Sequence, residues 1–234
     1  MRMNTMKIND MEIEVIKKNI KNIRLSVHPP YGRVRLAVPI RMNNEEIKSF
    51  VISKLVWIEK QKARFKLEEI PMPDEFISGE DHYFFGNKYI LNVLETTGKQ
   101  HAKLYNNKNI NLYIRPNSTR EKRKKVMIEW YREELKKVIP GYIEKWEPII
   151  GVKVEDWGVK LMKTRWGTCN IQAKRIWINL ELAKKNPRCL EYLIVHEMVH
   201  LLERKHNDNF RSYMDKFLPN WRKIQAELNS YINY

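Results

Sequence analysis

Apolar and polar residues alternate over three stretches near the start of the chain: Met11, Ile13 and Val15; Ile23, Leu25 and Val27; Val34, Leu36 and Val38. A period of two places one set of side chains on one face, so each stretch is expected as a half-buried strand. His28-Pro-Pro-Tyr-Gly32 is a turn signal that joins the second and third strands as a hairpin. After Pro39 the period lengthens. Asn43 with Glu46 has the form of a capping box, and Ile47, Phe50, Val51, Leu55 and Ile58 follow at helical spacing. One helix over about 43–67 is expected, with Trp57 and Phe65 packed on the sheet.

Pro71 and Pro73 bracket a short linker. Beyond it, Gly86-Asn87 and Asn106-Asn107 each separate two apolar-rich runs, 82–85 from 89–93 and 101–104 from 110–114, which predicts two more hairpins. Ser118 with Glu121 opens a helical stripe of Met127, Trp130, Tyr131, Leu135 and Val138 that Pro140-Gly141 is expected to end. No internal repeat or low-complexity tract is visible in the sequence. The expected fold is α+β: an N-terminal domain of strands, helix and hairpins over 1–115, then a mainly helical domain with a small sheet over 116–234.

Composition narrows the class. Hydrophobic residues make up 43% of the 234 residues and charged ones 31%, ordinary values for a folded domain with a sizeable core. No run approaches the roughly 18 apolar residues of a membrane span. The charged N-terminal stretch lacks the apolar centre of an export signal, so a cytoplasmic protein with no membrane contact is expected. Cys169 and Cys189 are too few for a disulfide framework and are expected as thiols. The net charge of +16 would suit acidic partners such as nucleic acid or nucleotides, but solvated basic faces are the preferred account of it. The run Arg120-Glu-Lys-Arg-Lys-Lys125 is read the same way, although it sits where a helix dipole disfavours positive charge.

Chemistry concentrates in His196-Glu-Met-Val-His200-Leu-Leu-Glu-Arg-Lys-His206, which holds three of the six histidines. Residues four apart share a helix face, so His196 and His200 can aim at one point. Glu197 lies about 100° round the helix, beside that point, where a general base is needed. Asn186-Pro187 is a good helix start, and Leu190, Leu193, Ile194, Val195, Met198, Val199, Leu201 and Leu202 make the helix apolar nearly all round. Imidazoles and a carboxylate inside such a helix carry a desolvation cost that a metal relieves. His206 joins the pair only if the chain turns after Glu203, with Asn207 capping the next helix. Three protein ligands and one open position are the pattern of a catalytic zinc, one per chain, with His196, His200 and His206 as ligands and Glu197 as catalytic base. His28, His82 and His101 lack such company.

Trp166-Gly-Thr-Cys169, Ile176-Trp-Ile-Asn179, Pro187, Tyr192 to His196, the HExxH segment and His206-Asn-x-x-Phe210 resemble the YgjP-like metallopeptidase family. The Ile23-to-Pro39 strands, the Trp57-Ile58 helix and Gly86-x-x-Tyr89 extend the resemblance over most of the chain. It implies a zincin-like catalytic unit with its third ligand at His206. Glu203 stands where metzincins use a glycine, so their turn geometry does not transfer.

Around the centre, Arg175–Asn179 is a candidate sheet edge for binding a peptide strand, or a core strand holding Trp177. Arg165, Thr168, Trp177 and Tyr213 are candidates for substrate or oxyanion contact. Gly167 suggests a special backbone angle or a close approach. Cys169 is not counted as a ligand, because hydrolysis needs the open position. Glu203, Asp208 and Asp215 are candidates for orienting the histidines. The main expectation is a zinc-dependent hydrolase of peptide or amide bonds. Hydrolysis of a nucleotide or phosphate ester comes second, although no Gly-rich phosphate loop is present. A nucleic-acid-associated protein with a peptidase domain comes third.

Overall fold

The alternating stretches become strands. In a computed structural model describing residues 3–8, 11–28, 32–67 and 74–230, β1 (Met3–Ile8), β2 (Met11–Lys18), β3 (Arg24–His28) and β4 (Arg33–Pro39) form a sheet of order β1-β2-β4-β3. β3 and β4 pair antiparallel as expected, with residues 29–31 of their connection outside the described set. β2 and β4 run parallel at the centre, and β1 had no counterpart in the sequence pattern. Ile13, Val15, Val34, Leu36 and Val38 bury one face against Ile47, Val51 and Ile58 of the following helices.

Those helices are α1 (Asn44–Ser53) and α2 (Leu55–Leu67), not the single helix expected. The Asn43–Glu46 capping box forms in both directions, at 2.8 and 2.9 Å. Lys54 breaks the helix by turning its N–H to the Val51 and Ile52 carbonyls, a local tightening that hydrophobic spacing does not encode. Trp57 does not pack on the sheet: it is 42% exposed, and Ile58 takes the buried position. The Phe65 side chain and the Pro71–Pro73 linker lie outside the described residues.

A second compact unit begins at Asp74. β5 (Asp81–Phe84), β6 (Asn87–Glu95), β7 (His101–Tyr105) and β8 (Asn109–Ile114) give both expected hairpins in a sheet of order β5-β6-β8-β7. Its central pair, β6 and β8, is again parallel, so the order of the first sheet recurs without any sequence repeat. Then comes α3 (Arg120–Ile150), capped by Thr119 rather than Ser118, whose hydroxyl instead donates to the Arg115 carbonyl. α3 does not end at Pro140-Gly141. Ile139, Ile143, Trp146 and Ile150 extend its buried stripe past the proline, and Gly151, at φ 79°, supplies the left-handed cap.

A small sheet of β9 (Asp156–Lys160), β10 (Gly167–Asn170) and β11 (Arg175–Asn179) follows, in the order β10-β11-β9. Next come a 3-10 turn over Leu180–Lys184 and three helices, α4 (Pro187–Val199), α5 (Asp208–Phe217) and α6 (Trp221–Ser230). The fold is therefore α+β, as expected, but the division at residue 116 is not where the contacts part. One core joins Leu91, Ile110 and Leu112 of the second sheet to Met127 and Leu135 of α3 and to Leu190 and Ile194 of α4. Among the described residues, no helix is long and apolar enough to cross a membrane.

Candidate metal centre

The site is built on the end of α4. Asn186 caps this helix by accepting from the Arg188 N–H at 3.1 Å, and Pro187 fills the first turn. α4 is buried on nearly all sides. The helix stops at Val199, leaving His200 as the cap residue. The Leu202 and Glu203 N–H groups both return to the Val199 carbonyl at 2.9 Å. The turn expected after Glu203 thus begins at His200. The Glu203 carboxylate accepts from the Lys205 N–H at 3.0 Å, and Asn207 caps α5 by accepting from the Phe210 N–H, also at 3.0 Å. This sequence of caps folds His206 back over the helix end.

His196, His200 and His206 consequently bring one ligand nitrogen each to within 4.8 Å of the other two. Their ring centroids lie 4.6 to 5.0 Å apart, over the Phe210 ring at 4.7 to 4.9 Å. The His200 Nδ1–H donates to the Glu203 carbonyl at 3.1 Å, which leaves its Nε2 with a free lone pair. His196 Nε2 faces His206 Nε2 at 3.0 Å. Burial, then the neighbouring His200 and His206, pushes His196 down to about 3, and burial lowers His200 as well. Both are therefore neutral at pH 7. Neutral imidazoles with converging lone pairs repel unless a proton or a cation lies between them. Two nitrogens on one tetrahedral zinc stand about 3.3 Å apart for bonds of about 2.0–2.1 Å, so the donor set and spacing fit a divalent metal.

The profile of the YgjP-like metallopeptidase domain matches residues 21–231. The chain belongs to this family. The family name implies a metal cofactor, and the histidine cluster offers a place for it. Among solved structures, the metallopeptidase zymogen of Pyrococcus abyssi abylysin aligns with a TM-score of 0.37 and 15% identity, over 39% of this chain and 92% of that one. No curated protein sequence matches the chain.

In this YgjP-like chain Glu197 is 4% exposed and lies against β10. A methyl group on Gly167 would stand 2.6 Å from Glu197 Oε1 and 3.0 Å from its Cδ. The glycine is needed for this close approach, not for an unusual backbone angle. Burial pushes the Glu197 carboxyl up to about 8, partly opposed by the Arg165 guanidinium. Burial, with Glu197 nearby, also pushes the Cys169 thiol up to about 11. A cleft of about 1410 Å³ opens over the histidines, lined by all of β10, the end of α4, the turn to α5 and one face of α6.

Arg165 and Thr168 line this cleft, whereas Trp177 and Tyr213 do not. Trp177 turns to the other face of its sheet, pressed on Gly158 and beneath the Lys160 ammonium, because its neighbours Ile176 and Ile178 fill the core side. Tyr213 is 37% exposed and stacks on Phe217. β11 is the central strand of its sheet, so among the described residues the free edge beside α4 belongs to β10. Of the three carboxylates expected to orient histidines, Asp208 pairs with Arg211 at 2.6 Å and Asp215 accepts from the Trp221 indole at 2.7 Å. Glu203 orients His200, but through its carbonyl.

Three residues gain roles that sequence reasoning had not given them. Phe210 floors the cluster. The buried Asn179 amide donates to the Met162 and Arg165 carbonyls at 2.9 and 2.7 Å and pins the loop that carries Arg165 and Trp166. Tyr192 stands one turn before His196, its phenol oxygen 3.4 Å from Nδ1. The i, i+4 spacing of Tyr192 was the available signal for that contact.

Proposed function

We propose that this chain is a zinc metallopeptidase, with one zinc on His196, His200 and His206 and with Glu197 as general base. The observation that carries this reading is the convergence of three imidazole nitrogens beside a buried carboxylate, at the foot of a cleft with a free strand edge. A zinc ion held by His196, His200 and His206 would supply Lewis acidity, enough to polarise a carbonyl and to make a water acidic near neutral pH. The chain's own residues do the rest. An extended peptide adds to the unpaired edge of β10 by main-chain hydrogen bonds. Glu197 takes the proton from the attacking water and passes it to the leaving amine. Its raised affinity for a proton suits the second half of that task, and the positive charge of a bound ion would lower it for the first. Arg165, at the cleft wall and close enough to influence Glu197, stabilises the developing oxyanion.

Cleavage of an internally quenched peptide library, lost on chelation and restored by zinc, tests the reading. A zinc-loaded chain that cleaves none of it refutes the reading. A second reading, hydrolysis of a nucleotide or phosphate ester, draws on the guanidinium groups of Arg165, Arg204 and Arg211 in the cleft wall. Turnover of a nucleotide panel with no peptide cleavage would favour it.

A further inference from the structure

We infer that Tyr192, braced by Gln225 of α6, is the positioning residue for His196 and sets the affinity of the site for its metal, an inference that rests on the metal-site reading above. An imidazole ligand binds well only when its second nitrogen is held, which fixes both ring angle and tautomer. His200 has the Glu203 carbonyl for this purpose. His196 has no carbonyl or carboxylate partner among the described contacts of its Nδ1; it has a phenol. The Tyr192 oxygen lies 3.4 Å from Nδ1, and the two rings stand 5.7 Å apart at 60°. His196 Nε2 is turned to His206, so Nδ1 is the nitrogen left to donate to the phenol oxygen.

Tyr192 is 3% exposed, which makes its hydroxyl costly unless it is partnered. Gln225 of α6 lines the same cleft wall and lies close enough to act on the phenol. That helix is anchored beside α4 by Arg188, which pairs with Glu227 at 2.7 Å, and by the buried Trp221 and Leu228. A frame therefore runs from α6 through Gln225 and the phenol to the His196 ring. Phenylalanine would bury the same ring as well, so packing does not account for the hydroxyl. No carboxylate takes part, which distinguishes this brace from the acidic residues expected to orient the ligands.

The test is zinc affinity by competition with a chromophoric chelator, on the full chain and its Tyr192→Phe and Gln225→Ala variants, beside the thermal midpoint of each metal-free protein. Tyr192→Phe is expected to weaken zinc binding roughly 10–100-fold with the metal-free midpoint unchanged. Gln225→Ala, which leaves the core intact, is expected to weaken it less and in the same direction. The visible spectrum of the cobalt-loaded protein is expected to shift in both. Unchanged affinity in both variants, with wild type binding zinc, overturns the inference and leaves the metal centre standing. Failure of the wild type to bind zinc overturns the metal centre itself.

Discussion

The sheets β1-β2-β4-β3 and β5-β6-β8-β7 have the same order, the same parallel central pair and a helix after the fourth strand, yet they carry different loads. The first buries its apolar face under α1 and α2, and its core ends there. The second feeds a core that runs on through the 31 residues of α3 into the small sheet and α4. All three clustered histidines and Glu197 lie on that continuation and none on either four-stranded sheet. The strand order is thus a way of burying alternating residues, and chemistry enters with the segments packed onto one of its two copies.

The strongest way to sharpen this contrast is at the base. Glu197→Gln is expected to keep zinc bound and to reduce peptide turnover by about 10²–10⁴-fold, read from steady-state kinetics of metal-loaded protein. Retained turnover would remove Glu197 from the mechanism. Gly167→Ala comes next, because its new methyl would collide with the Glu197 carboxylate. Displacement of that group is expected to cost roughly 10²-fold in kcat at unchanged zinc content, and an unimpaired variant would show that Glu197 has room to move.

Much of this arrangement was legible from the residue pattern. The hairpins around Asn87 and Asn106, the cap at Asn186 and the cap at Asn207 are local signals, and the structure follows them. The HExxH spacing needs only helix geometry, so the pairing of His196 with His200 was legible as well, whereas His206 also needed the turn and the Asn207 cap that follow. The misses are tertiary. Whether Pro140 ends α3 depends on what its far end can bury, which lies in distant segments. Trp177 was a candidate for the cleft because alternation says that it leaves the core, not which face it then meets. The edge was assigned to β11 because strand order within a sheet is not a local property.

Acid offers a weaker lever on the second unit. Unfolded, His196 and His200 take up protons near the ordinary imidazole value of roughly 6.5; folded, both bind them less well, His196 only at about 3. The unfolded state then holds more protons across this window. The stability these residues contribute is full above about 6.5 and is lost as pH falls toward 3. Glu197, pushed up to about 8, acts oppositely, its contribution being lost as pH rises through that value. Metal-free Glu197→Gln removes the opposing group, so its unfolding midpoint is expected to fall between pH 7 and pH 5 more steeply than wild type. Parallel profiles would contradict these environments.

The smallest expected effect on the site comes from the first unit. Leu36→Ala, at a fully buried position of its sheet, should cost that unit about 2–5 kcal/mol in denaturant melts while leaving zinc affinity unchanged. A matching loss of zinc affinity would mean that the two copies of the sheet are not separable in function.

The most direct test of the central claim is metal stoichiometry, by elemental analysis of the purified full chain beside a His196→Ala, His200→Ala variant. The account predicts about one zinc per wild-type chain, by the three-ligand catalytic pattern, and background levels in the variant. Wild-type protein that holds no metal and takes up none from added zinc would contradict it.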